Sequence, residues 1–259
     1  MISKSSFGLS LLLGFLCFAS EVSGNPQAKE IQREFSNLSH EQRVEYQQII
    51  ADVELQISKH KIFSALIKLE QAKKLFSLDP GIPLRKARCY SLLQLHDEAR
   101  HHYKQTLKVE PTNFIALNSL VEISFDQKKW RQCLQDIENL ATKQPTAASR
   151  YPLLALKQLI CLDQLKLEKE YKAFRLIIAK NYTYMSDTPL SYYADALDSL
   201  RNKHKDDAHD QIASAFRVFL QPKLHFTWSK PLVDAGYMSG HEFNMQRSPK
   251  DPYLKFTLE

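Results

Sequence analysis

The chain reads as all-α, and three observations say so. A single glycine, Gly81, falls between Asn25 and Ala235, whereas a β-rich chain of this length needs glycine in most of its tight turns. Prolines stand at wide intervals instead of clustering. Apolar residues recur every three or four positions, the spacing of one face of a helix.

The first 24 residues stand apart from the rest. Lys4 precedes the 13-residue run FGLSLLLGFLCFA, and Val22 and Gly24 occupy small-residue positions before Asn25. This is the layout of a cleaved secretory signal, cut after Gly24. The run is too short to span a bilayer. The chain from Asn25 onward is therefore expected to be secreted or periplasmic.

The helices follow in order. LSHEQRVEYQQIIADVELQISKH places Val44, Ile49, Val53 and Ile57 on one stripe, with Ser39 as N-cap and Gln42 as its capping-box partner. KIFSALIKLEQAKKLF adds Phe63, Leu66, Leu69, Ala72, Leu75 and Phe76 and stops before Pro80 and Gly81. Two helices joined by a short turn make an antiparallel hairpin. PLRKARCYSLLQL with HDEARHHYKQTLKVEP, and NFIALNSLVEISF with KKWRQCLQDIENLATKQP, repeat that plan. Their closing prolines, Pro111 and Pro145, are 34 residues apart. Two looser hairpins follow, with Tyr151, Leu154, Ala155, Tyr171 and Phe174 in one and Tyr193, Ala196, Leu197, Ala208, Ile212, Ala215 and Phe216 in the next.

That period and those residue types resemble the tetratricopeptide repeat family. The matching positions are Ala87, Tyr90, Ala99, Tyr103, Thr106 and Pro111 in one unit, and Leu117, Leu120, Val121, Cys133, Ile137, Leu140 and Pro145 in the next. Pro83 and Lys86 depart from the pattern, and Cys133 replaces its alanine. The resemblance implies a right-handed α-α superhelix of about five antiparallel pairs over residues 25–222. Residues 223–259, richer in glycine, proline and aromatics, are expected to form a tail that caps the last open hydrophobic face.

Composition narrows the function. Thirty-five basic and 29 acidic residues give a net charge of +6 and a pI near 9.0, but the two signs interleave along the chain, as on a solvated helix surface. Nucleic acid is not an expected partner. Beyond the leader's Cys17, the cysteines are Cys89, Cys133 and Cys161. An odd number argues against a disulfide framework; at most one pair could bridge, and spacing does not say which.

No catalytic, cofactor or metal motif is present. GYMSG around Ser239 lacks the spacing of a nucleophile elbow. Asp97 with His101, and Glu98 with His102, stand four apart and could chelate, yet on a helix that spacing more often serves a solvated face. Asn37-Leu-Ser39 and Asn181-Tyr-Thr183 are glycosylation sequons for a eukaryotic secretory pathway. No cofactor is expected.

The resemblance implies that the first helix of each pair lines a concave groove that holds an extended peptide. By register, Arg85, Arg88, Asn118, Glu122 and Asp126 would face it. The function expected is a non-catalytic scaffold or adaptor with a protein or peptide partner. Two alternatives stand beside it: an enzyme using His225, Asp234, His241 and Glu242 of the tail, and a basic surface that binds an anionic polymer.

Overall fold

The computed structural model describes residues 26–146 and 150–239, so the expected leader lies outside the described residues. Those residues form helices and no strand: α1 (Pro26–Asn37), α2 (His40–Ser58), α3 (Ile62–Leu75), α4 (Gly81–Leu92), α5 (His96–Val109), α6 (Phe114–Asp126), α7 (Trp130–Lys143), α8 (Leu153–Gln164), α9 (Glu168–Asn181), α10 (Leu190–Arg201), α11 (Lys205–Val218) and α12 (Pro222–Asp234). The fold is all-α and built from antiparallel pairs, as the sequence predicts. Two compact units divide it, Met1–Ala116 and Leu117–Glu259. None of the described helices is long and apolar enough to cross a membrane.

Every pair turns by one device. After the first helix comes one residue in the left-handed region: His60, Gln94, Lys128, Lys166 and Lys203, with φ of 55–65°. At the second of these turns the Gln94 N–H donates to the Ser91 carbonyl at 3.0 Å and the Leu95 N–H to the Tyr90 carbonyl at 2.9 Å. The other four turns repeat this pair of bonds, which satisfies carbonyls orphaned by the helix end. His60, Gln94 and Lys128 are 34 residues apart, so the backbone keeps the period that the closing prolines mark. Gly236, at φ 84°, ends α12 in the same way. Glycine scarcity announces helices but hides these turns, because side-chain residues fill the left-handed sites.

In the first unit α2 packs on α3, α3 on α4 and α4 on α5. Ala65, Leu69 and Ala72 of α3 have no exposed surface, and they meet Val53 and Ile57 of α2 and Ile82 and Cys89 of α4 in one core. The alanines bring helix axes close, while each fully buried Val, Leu or Ile contributes about 1.5–3 kcal/mol. Ser39 caps α2 as expected, accepting from the Gln42 N–H at 3.2 Å while Gln42 Oε1 accepts from the Ser39 N–H at 2.9 Å.

Some expected stripe residues lie elsewhere. Phe63 is 71% exposed and Val44 37% exposed, because the close face of α2 is set by Tyr46, Val53 and Ile57 and that of α3 by Ala65, Leu69 and Ala72. Tyr151 is exposed as well. Gly81 does not follow a helix end; α3 stops at Leu75 and Gly81 is the first residue of α4. The sequence reading also passed over α1, whose Ile31 and Phe35, four apart, pack on this core. Phe35, Tyr46 and Phe76 meet edge to face, with centroids 5.2–5.8 Å apart.

In the second unit α8 is the hub. Leu154, Leu156, Lys157, Leu159, Ile160, Cys161, Leu162 and Asp163 are all buried. A helix covered on nearly every side has neighbours on every side, here α7, α9, α10 and α12. Tyr171 and Tyr193 are among the largest fully buried side chains.

The left-handed turns generate a stability test. Exposed Lys166 holds φ 57° with a Cβ, a cost of about 1–2 kcal/mol that glycine escapes. Lys166→Gly is expected to raise the second unit's Tm by roughly 2–4 °C in a calorimetric scan. Gly236→Ala, where a Cβ would meet nothing within 4 Å and only the backbone is strained, is expected to lower it comparably.

Candidate functional site

The expected groove residues fall in both units, and each unit is built differently. In the first, Arg85 and Arg88 of α4 converge on one carboxylate of α2. Arg85 Nε lies 2.9 Å from Glu54 Oε1 and Arg88 Nη1 lies 3.1 Å from Glu54 Oε2. Two guanidiniums share one acid, and their side chains are still 23% and 43% exposed. Gly81 makes room for this: a Cβ there would stand 2.3 Å from Arg85 Nη1. Nearby, Asp79 accepts from the Tyr46 hydroxyl and from the Gly81 N–H. Burial first, and Asp79 second, push the Tyr46 phenol up, so it stays protonated and donates.

In the second unit the acidic pair is already matched. Glu122 of α6 pairs with Lys157 of α8, whose stem is buried and whose ammonium sits 5.1 Å from the centroid of the Phe125 ring. Asp126 lies 3.6 Å from Lys230 of α12, which also pairs with Asp234. Asn118 is half-buried on the same helix.

The element that sequence reasoning missed here is α12. It packs on α8 and α10, the first helices of their pairs, and on α11. Its buried face is His225, Trp228, Ser229 and Leu232, spaced three, four and seven apart. That spacing was readable, but Pro222 and Pro231 disguised it; Pro222 opens the helix at a position where its missing N–H costs nothing. Trp228 tilts against Tyr193 with centroids 5.7 Å apart, and the Tyr193 hydroxyl lies 3.2 Å from both His225 Nδ1 and Ser229 Oγ. Phe226, in the segment expected to cap the last hydrophobic face, is 53% exposed.

Beyond α12 the chain is held by a polar network. The Tyr237 hydroxyl donates to Asp163, Arg201 Nε donates to the other Asp163 oxygen at 2.7 Å, and Arg201 also pairs with Glu168. The Arg201 guanidinium lies 3.6 Å above the Tyr171 ring centroid. Gln164 Nε2 donates to the Ala235 carbonyl at 3.3 Å.

Residues considered for chemistry have structural employment. His101 and His102 both contact Gln105, at 2.8 and 2.9 Å, and His102 stacks on Tyr90 at a 5.3 Å centroid distance. Burial lowers the His102 pKa, favouring the neutral ring. No cluster of three metal-ligating side chains occurs among the described residues. His225 is buried and Asp234 is paired with Lys230; His241 and Glu242 lie outside the described residues. A surface recess of about 420 Å³ is lined by Pro222, Lys223, Phe226 and Thr227, with no acid–base pair.

No protein-family model matches the chain, and no curated protein does. Among solved structures it is similar to YrrB, described as a TPR protein with an unusual peptide-binding site. That likeness has 12% identity and a TM-score of 0.48, covering 80% of this chain and 98% of that one. It is also similar to TTC0263, a thermophilic TPR protein of Thermus thermophilus, with 20% identity and a TM-score of 0.47 over 73% of this chain and 99% of that one. Both neighbours are tetratricopeptide-repeat proteins, the family that the proline period resembles.

His225 makes the attachment of α12 sensitive to acid. Burial lowers its pKa below the ordinary 6.5, opposed by its bond to the Phe219 carbonyl. The unfolded chain therefore binds the proton more readily, and stability present above pH 6.5 is lost as pH falls toward the folded-state value. Thermal melts from about pH 7.5 down to 5 are expected to show this loss, with a shallower slope for His225→Gln.

Proposed function

We propose that the chain is a non-catalytic binding protein, and that the first unit holds an acidic segment of a protein partner at Arg85 and Arg88. The observation that carries this is the shared Glu54: one carboxylate fixes two guanidiniums side by side while leaving both partly exposed. Arginine forks held in place lose less freedom on meeting a second carboxylate than free ones would. In the second unit Asn118, Glu122 and Asp126 are the proposed contacts. A basic group of the partner would there compete with Lys157 and Lys230.

The compartment belongs to the same proposal. Lys4, the apolar run after it, and the small residues Val22 and Gly24 support removal of residues 1–24 and release of the remainder into a secretory or periplasmic space. Mass spectrometry of the exported protein is expected to find Asn25 as its first residue, and an intact Met1 there would refute the cleavage.

Binding is tested with a panel of acidic, neutral and basic peptides titrated against the chain. Acidic peptides are expected to bind best and to weaken with salt. Arg85→Gln with Arg88→Gln should weaken them about tenfold or more while far-UV circular dichroism stays unchanged, as loss of charge-assisted bonds predicts. Equal binding of all three peptide classes, or an unaffected double variant, would refute the site.

A further inference from the structure

The sequence leaves open which two thiols could bridge, and the tertiary structure closes that question. Cys133 of α7 and Cys161 of α8 lie in one unit, on helices that pack directly on each other, and neither has exposed surface. Each stands at a close-packed small-residue position, where a larger side chain would hold the helices apart. The Cys133 thiol also approaches the Val121 carbonyl at 3.8 Å, which seats it between α6 and α8. The Cys161 thiol lies close enough to the Cys133 thiol to act on it electrostatically. Cys89 sits in the other unit's core with Val53, Ile57 and Ile82.

We propose that Cys133 and Cys161 are a disulfide-forming pair that joins α7 to α8 when the chain folds under oxidising conditions. One S–S bond forms and two S–H bonds break. The two electrons and two protons pass to a disulfide oxidant, which leaves as two thiols.

The surroundings dictate when this happens. Contact with Cys161, together with burial, raises the Cys133 thiol far above its usual range, and burial pushes Cys89 up to about 11. Exchange needs a thiolate and access to it. The folded reduced core therefore reacts slowly, and the bond forms while α7 and α8 are still closing. Once formed, it lies beyond the reach of soluble reductants. The pairing has its use in the cell only if the chain is exported as proposed above, but its geometry does not depend on export.

The test refolds the whole chain, with Cys17→Ser in the leader, from guanidinium into glutathione and glutathione disulfide, then alkylates it in denaturant without reductant. Peptide mass spectrometry is expected to find Cys133 linked to Cys161, a loss of two hydrogens, and Cys89 alone alkylated. The bridged unit should melt roughly 5–10 °C above its reduced form. Three alkylated thiols, or a bridge that includes Cys89, would overturn the proposal. Cys89→Ser is expected to leave the bridge intact, and Cys161→Ser to leave Cys133 alkylatable. A chain that bridges in glutathione but carries all its thiols when isolated from the cell upholds the pairing and refutes export.

Discussion

The close approach of paired helices at small, fully buried side chains is the constraint on which the rest depends. Helices of 12–14 residues are marginal on their own, and a single pair leaves one apolar face open. Ala65, Ala87, Ala99, Cys133, Cys161, Ala196 and Ala208 all have no exposed surface. At those points the backbones come near enough for Tyr103, Ile137, Tyr171 and Tyr193 to fill the space toward neighbouring helices. A bulkier residue at any of them would separate two helices and loosen the packing beyond.

That constraint also explains why polar groups are buried beside the core. Asp136, Lys157 and Asp163 sit on helices covered on several faces, and each is matched: Asp136 by Ser124 and Gln132, Lys157 by Glu122, Asp163 by Arg201 and Tyr237. A buried charge without such a partner would cost several kcal/mol, about 3–5 by the usual order. Ser124 and Asp136 join the two helices of one pair, while Lys157–Glu122 and Asp163–Arg201 run between successive pairs and fix the register of one on the next. Within the second unit they also tie the residues after α12 back to α8.

The two units carry different charged faces. In the first, Arg85 and Arg88 are held by Glu54 and remain partly exposed. In the second, the acids on α6 already face lysines, and α12 lies over the first helices α8 and α10. Charge at this second face is balanced from within the chain, so the contact proposed there would exchange one ion pair for another, with the desolvation of both to be offset.

The sequence by itself determined the ten helices α2 to α11, their pairing and their period. Ala99, Tyr103 and Thr106 are spaced as a buried face and are buried, and Ser39 with Gln42 caps the helix it was expected to cap. These features are local: they follow from one helix and the residues beside it. Of the site, the sequence yielded the charged first-helix positions Arg85, Arg88, Glu122 and Asp126, but not their counter-charges. Glu54, Lys157 and Lys230 lie 31, 35 and 104 residues from the groups they meet, and no local pattern encodes such a meeting. Tertiary structure alone decided that the face of Trp228 and Leu232 packs against α8, α10 and α11, and that Cys133 lies beside Cys161. The physical reason is the same in each case: periodicity says which side of a helix is buried, and only packing says against what.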